Sequence, residues 1–217
     1  MLERLTVGPL GENAYILLDE STCILVDPGA EGERILSFLD SRGLVPTVVV
    51  ATHGHLDHTA AIPELLLAWQ ARGRKVPLAV HELDRDYFGP TGEETNRRLF
   101  EAIGAGSYFD TYWRPIPSPD ILLSDGDAIP GSDFRVIHSP GHTRGSMCLY
   151  DAGGSILVSG DTLFRDGVGR TDGPDSDPAA LETSLERLFT MPPTTRVFPG
   201  HGDETTVGRE SGLMEGA

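Results

Sequence analysis

The segment Val48-Val49-Val50-Ala51-Thr52-His53-Gly54-His55-Leu56-Asp57-His58 constrains this chain more than any other. A continuous apolar run of β-branched residues reads as a strand buried on both faces, inside a covered sheet. That strand runs directly into three histidines and an aspartate within six positions, in a chain with only seven histidines. So polar a cluster belongs where the backbone leaves the sheet. Such strand-end loops, held by a rigid scaffold, are where binding groups gather.

The pattern recurs three times. RVIHSPGH leads to His142, ILVSGD to Asp161 and RVFPGH to His201, each beside glycine, proline or a turn. Residues i and i+2 of an extended segment point the same way, so His53 and His55 can hold one metal together. Asp57 and His58 fall where the chain turns into the next helix, and can face a second metal. This differs from a helical H-E-x-x-H site, in which i and i+4 share a face. His142 completes the first set and His201 the second. Asp161, between them, can bridge with its two oxygens. Imidazole and carboxylate suit zinc, iron and manganese, and the set contains no thiolate. Two divalent ions, offset by Asp57, Asp161 and a bridging hydroxide, leave a charge of roughly +1 to attract a polarised carbonyl oxygen. Two metals about 3.5–4 Å apart acidify the water they share, so hydrolysis by a metal-bridging hydroxide is the expected reaction.

The remaining sequence supplies the scaffold. LERLTV, NAYILL and TCILVD read as strands, and EGERILSFLDSRG as a helix with Ile35, Leu36 and Leu39 at helical spacing. AAIPELLLAWQARG is the next helix, with Pro63 in its first turn, and VPLAVHE a further strand. ETNRRLFEAIG reads as a helix; GSYFDTYWRPIPSP, aromatic and proline-rich, reads as loop. DFRVIHSP, SMCLYDA and SILVSGD return to strand. DPAALETSLERLFTM is a helix with Asp177 as its N-cap before Pro178. TRVFPGHG closes the ordered part, and the tail VGRESGLMEGA is expected to fray. Strands followed by helices in each half suggest two packed sheets with helices outside.

Composition narrows the function classes. The chain has 217 residues, 39 % hydrophobic and 23 % charged, enough for a sizeable core. Its formal charge is −16, with one lysine, Lys75, among its 17 basic residues, and no basic face suited to a nucleic-acid backbone. MLERLTVGPLGENAY holds no long apolar segment, so neither a signal peptide nor a membrane span is expected, and a cytoplasmic location is. Cys23 and Cys148 sit far apart inside apolar runs and read as two reduced, buried thiols. His81 and His138 read as packing or surface histidines, and Arg165 as a solvated arginine. Tyr108, Phe109, Tyr112 and Trp113 can either cover the site or pack their segment against the body. GVGRTDG follows a candidate ligand and opens no βαβ unit, and no G-x-S-x-G elbow occurs.

THGHLDH, SPGHT, SGDTLF and PGHG together resemble the metallo-β-lactamase superfamily. GDTLFRDGVGRTD is similar to the glyoxalase II-like (hydroxyacylglutathione hydrolase-like) branch, in its small single-domain form. The order agrees from Asp27 in LVDPG to PGHGDETTVGRE, over nearly the whole chain except residues 82–124. The resemblance implies an α/β (α+β) fold, a four-layer αββα sandwich, with the site along one edge of the two sheets. It implies one domain over residues 1–217, with a partly helical, aromatic insertion at about 82–124. It assigns His53, His55 and His142 to one metal and Asp57, His58 and His201 to the other, with Asp161 bridging. Asp27 is expected behind the ligands, orienting a histidine. Arg170, in the GxGR segment, is expected near a substrate carboxylate. The implied activity is hydrolysis of a small-molecule thioester of hydroxyacylglutathione type, or a related ester. Asp57 and Asp161 take part in catalysis, and two divalent ions are the cofactors: zinc first, iron or manganese as alternatives. Neither nucleic acid nor membrane is an expected partner.

Two features depart from full-length glyoxalase II. The chain ends at Ala217, where those enzymes continue into a helical domain, and Asp203 stands where they tend to carry tyrosine. The alternative reading is a persulfide dioxygenase-like oxidoreductase, which shares HxHxDH and GxGRTD but uses one iron on a His, His, Asp subset. It usually shows His-Asp-Tyr at the last motif, against His201-Gly202-Asp203 here. A lactam-hydrolysing zinc enzyme would usually carry cysteine at position 161, and the charge of −16 disfavours a ribonuclease Z-like role. A non-catalytic metal-binding protein is the third reading.

Overall fold

The computed structural model describes residues 1–19 and 22–214. Its architecture follows from which face each strand residue presents. In β3 (Cys23–Val26) and β4 (Val48–Ala51) every residue is buried. Ile24, Val26, Val48 and Val50 pack into one cluster, while Cys23, Leu25, Val49 and Ala51 pack into another on the opposite side. A two-residue period with both faces apolar places these strands in the middle of a layered structure.

The first sheet has the order β1-β2-β3-β4-β5-β6. Besides β3 and β4 it contains β1 (Leu2–Val7), β2 (Glu12–Leu18), β5 (Leu78–His81) and β6 (Ile121–Leu123). β1, β2 and β3 pair antiparallel, and β3 through β6 parallel. The second sheet contains β7 (Arg135–His138), β8 (Met147–Asp151), β9 (Ile156–Gly160), β12 (Arg196–Pro199) and β13 (Thr205–Thr206), in the order β13-β12-β9-β8-β7. β12 runs parallel to β9. A two-stranded ribbon, β10 (Leu163–Phe164) and β11 (Gly167–Val168), follows β9.

Tyr15, Val26 and Val50 meet Met147, Leu149, Val158 and Phe198 between the sheets. The Tyr15 and Phe198 rings cross edge to face at 6.0 Å. α1 (Gly32–Asp40) and α3 (Ile62–Ala71) cover the outer face of the first sheet through Ile35, Leu39, Ile62, Leu65 and Trp69. α6 (Pro178–Phe189) covers the second through Leu181, Leu185 and Leu188. The four-layer αββα sandwich expected from sequence is therefore observed. The Asp177 carboxylate accepts from the Ala179 and Ala180 amides at 2.9 and 3.1 Å, which fixes the start of α6.

Two segments depart from the sequence reading. GSYFDTYWRPIPSP is not all loop, because Gly106–Tyr112 forms a helix, α5. Its intrinsic helix propensity is poor, but packing overrides it. Phe109 is buried, and Tyr108 stacks on Phe100 of α4 (Gly92–Ala102) with ring centres 5.5 Å apart. The tail also folds, as α7 (Val207–Met214). Val207 is buried, and the buried Glu210 carboxylate accepts from the Asp166 amide at 3.0 Å and pairs with Thr205 and Arg209. Residues 215–217 of the expected frayed tail lie outside the described residues. Cys23 and Cys148 are buried free thiols, which burial pushes up to about 11. Among the described residues no helix is long and apolar enough to cross a membrane.

Candidate metal centre

Four strands end on one edge of the sandwich, and each delivers part of the centre. β4 leads to His53 and His55. His55 then caps α2 (Leu56–Thr59), a single turn that carries Asp57 and His58. The loop after β7 supplies His142, the end of β9 Asp161, and the end of β12 His201. All seven sequence-predicted ligands converge. Facing ligand atoms of His53, His55 and His142 lie within 4.8 Å of one another, and so do those of Asp57, His58 and His201. Asp161 stands between them, with Oδ1 3.3 Å from His58 Nε2, and Oδ2 3.6 and 3.7 Å from His142 Nε2 and His201 Nε2. His55 Nδ1 faces His142 Nε2 at 2.9 Å, and His201 Nε2 faces Asp57 Oδ2 at 3.3 Å.

The opposite nitrogen of four imidazoles is engaged elsewhere, which sets each tautomer. His58 Nδ1 donates to Asp27 Oδ2 at 3.1 Å, His142 Nδ1 to the Arg170 carbonyl at 2.8 Å, and His201 Nδ1 to the Leu10 carbonyl at 3.2 Å. His53 Nδ1 donates to Thr52 Oγ1 at 3.1 Å, whose own hydroxyl donates to Asp27 Oδ2 at 2.6 Å. In the neutral form that binds metal, their Nε2 lone pairs aim inward. His53 Nε2, His58 Nε2 and Asp161 Oδ1 are buried with no hydrogen-bond partner. Orphaned buried groups of this kind carry a desolvation cost that a cation removes. The donor set fits two divalent ions.

Electrostatics separates the two sets. Burial, joined by the neighbouring histidines, holds the His53 imidazole far below its ordinary value, and burial with His142 brings His55 down to about 3. Burial opposes ionisation of Asp57 and Asp161, but the imidazoles around them, His58 first, outweigh it and keep both carboxylates ionised. Burial also opposes charging of His58 and His201, but those carboxylates outweigh it and raise both imidazoles above their ordinary value. Metal binds neutral imidazole and ionised carboxylate, so loading the second set displaces protons from His58 and His201.

The scaffold makes room for this density of ligands. Gly200 precedes His201, and a Cβ there would lie 2.2 Å from Asp161 Oδ1 and 2.6 Å from His58 Cε1. Asp27 adopts the left-handed φ of 49° that non-glycine residues avoid, and its carboxylate also accepts from the Thr52 amide at 2.7 Å. Asp27 thus sits behind His58.

Sequence reading missed Asp84. This buried carboxylate accepts from the Gly54 amide at 2.9 Å, the Thr143 hydroxyl at 2.7 Å and the Gly145 amide at 2.7 Å. It straps the His53–His55 loop to the His142 loop. It also missed the role of two residues of β2: Asn13 Nδ2 donates to the Pro199 and Gly202 carbonyls at 3.1 and 2.9 Å, and Tyr15 Oη to Pro199 at 2.7 Å. These bonds hold the His201 turn from the other sheet. Glu12 lies buried behind His58, 3.9 Å from its Nδ1, and burial raises its carboxyl well above the usual range.

The other residues singled out from sequence sit around the centre. Arg170 lines the mouth of the cavity above the ligands, 66 % exposed, with its guanidinium on Asp172 at 3.0 and 2.6 Å. Arg165 is exposed, beside Asp166 and Asp203. The His81 and His138 rings stack at 4.1 Å and belong to neither ligand set. Tyr108 faces the cavity, whereas Phe109 is buried and stacks on Trp113.

Residues 7–201 match the family model of the metallo-beta-lactamase superfamily. The chain belongs to that superfamily. Within the superfamily it is 32 % identical to a probable metallo-hydrolase of Bacillus subtilis, over 94 % of this chain and 91 % of the relative. It is 30 % identical to the hydroxyacylglutathione hydrolase GloC of Haemophilus influenzae, over 96 % and 94 %. Among solved structures it resembles TTHA1623 in a di-iron-bound form, with 37 % identity, TM-score 0.80 and 96 % of both chains covered. It also resembles ETHE1 from Myxococcus xanthus, with 25 % identity, TM-score 0.71, and 97 % and 81 % covered.

Proposed function

We propose that this metallo-β-lactamase superfamily member hydrolyses thioesters or related esters at a dinuclear centre. The observation that carries the reading is Asp161, whose carboxylate faces both ligand sets, with Oδ1 toward His58 and Oδ2 toward His142 and His201. Two divalent ions, when bound, supply Lewis acidity and acidify the water they share. Asp161 keeps the two ligand sets in register. Asp57, held ionised and bordering the cavity, can take a proton from the attacking water at Oδ2 and release it to the departing thiolate. The products are a carboxylic acid and a thiol. Arg170 can leave its exposed partner Asp172 to meet an anionic group of the carrier, since a surface ion pair of this kind is worth only about 0–1 kcal/mol. The likeness to the Haemophilus hydrolase supports this chemistry, and the di-iron neighbour supports iron as well as the zinc favoured from sequence.

The deciding experiment is turnover of S-D-lactoylglutathione, followed by loss of thioester absorbance on protein of measured metal content. A kcat/KM above about 10⁴ M⁻¹s⁻¹ supports a hydroxyacylglutathione hydrolase. Arg170→Ala should then raise KM a few-fold with kcat little changed; an unchanged KM removes Arg170 from the substrate contacts. The likeness to ETHE1 favours the second reading, a persulfide dioxygenase-like activity. One bound iron, oxygen consumption and no thioesterase activity would establish that instead.

A further inference from the structure

The cavity above the metal ligands has a volume of about 400 Å³ and two kinds of lining. The charged part is balanced, because Arg170 and Asp172 hold each other in a two-pronged pair. The rest, beyond the ligands, is apolar. Leu99 and Phe100 of α4, Ile103 just after it and Tyr108 of α5 form a wall, and Phe164 of β10 and Leu10 also line the cavity. Leu99 and Phe100 are almost wholly buried, and the Phe100 and Tyr108 rings lie within 10° of parallel. The wall is therefore a packed surface with a fixed shape. Burial, reinforced by the negative charge of Asp57, raises the Tyr108 hydroxyl well above its ordinary value and keeps it neutral. Apolar pockets with a few fixed polar groups select ligands by complementary apolar area.

We infer that this wall receives the acyl group of the substrate, and that the site selects acyl chains of several carbons or an aryl ring over acetyl- or lactoyl-sized groups. The inference rests on the hydrolase reading above. A substrate whose carbonyl lies at the ligand cluster meets both kinds of lining. The carrier, whose charges need solvent or a salt link, suits the Arg170–Asp172 side. An uncharged chain suits the α4–α5 side, where each methylene withdrawn from water favours binding.

The test pairs binding with turnover. Metal-loaded protein is titrated calorimetrically with acetate, butyrate, hexanoate and octanoate. The matching N-acetylcysteamine thioesters are assayed alongside. Affinity and kcat/KM should rise roughly two- to fourfold per methylene, the upper figure corresponding to about 0.8 kcal/mol. Ile103→Asn and Tyr108→Asn should each flatten the series, which separates the wall from unspecific adsorption. A flat series in the unaltered protein overturns the inference even if every thioester is cleaved. A rising binding series with no cleavage upholds the pocket and removes the hydrolase reading instead.

Discussion

The two halves of the metal centre are built to different standards. The His53, His55 and His142 set is all imidazole; His53 is buried, while His55 and His142 border the cavity. The loops that carry it are strapped together by Asp84. The Asp57, His58 and His201 set holds a formal charge of its own, and its members differ sharply in exposure. His58 is fully buried against Asp27, while His201 is 26 % exposed and rests on a single carbonyl at 3.2 Å. Equal ligand number therefore does not mean equal hold. Both halves reach the cavity, through His55 and His142 in the first and Asp57 and His201 in the second; the first is strapped by Asp84, and the second adds a carboxylate and the more exposed His201.

Several experiments would break or sharpen this contrast. Asp161→Ala should be the most damaging change, because both halves lose a shared ligand. Metal content should fall together with activity, the latter by on the order of 10³ or more. Full activity with two metals retained would end the dinuclear account. Chelation should next be biphasic. One equivalent leaves first, and His201→Ala, measured by elemental analysis, should start with that equivalent already missing. A single concerted release would mean that the halves are not distinct.

Asp27→Asn keeps the shape but removes the charge behind His58, and should weaken metal binding about 10–100-fold. Thr52→Val, which touches the first half through His53, should cost less. The reverse order would contradict the assignment of charge to the second half.

The smallest effect is a control placed outside both halves. Burial, with His138 stacked on it, brings the His81 imidazole down to about 4. In the unfolded chain it titrates near ~6.5. Between those values the unfolded chain takes up a proton that the folded one refuses. Stability is thus intact above about pH 6.5 and falls as pH drops toward 4. In denaturant melts His81→Gln should show a shallower decline over that window. An unchanged slope would place the acid lability in the metal ligands.

The ligands were legible in sequence because each ends a strand at a turn, and imidazole and carboxylate in that position have few other uses. Asp84 was not. It sits in HELDRDY, an ordinary acidic stretch, and only its partners at Gly54, Thr143 and Gly145 give it a role. Asn13 and Tyr15 were hidden the same way, since their targets lie at Pro199 and Gly202. α5 was misread because its aromatic residues gain helical order only by stacking on α4. α7 was misread because a single buried valine and a buried glutamate tie down an otherwise small and polar segment. Local chemistry announces a ligand, whereas long-range hydrogen bonds and stacking leave no local signature.

The bonds from Asn13 and Tyr15 to the His201 turn join the second strand of the chain to its twelfth. During synthesis the first six ligands emerge well before the strand that delivers the seventh. A growing chain can gather the first half of the centre early, but the second cannot close until the late-made edge docks against the early-made one. Uptake of the second metal equivalent would then be a timer on assembly, marking when a late-made strand has met one of the oldest.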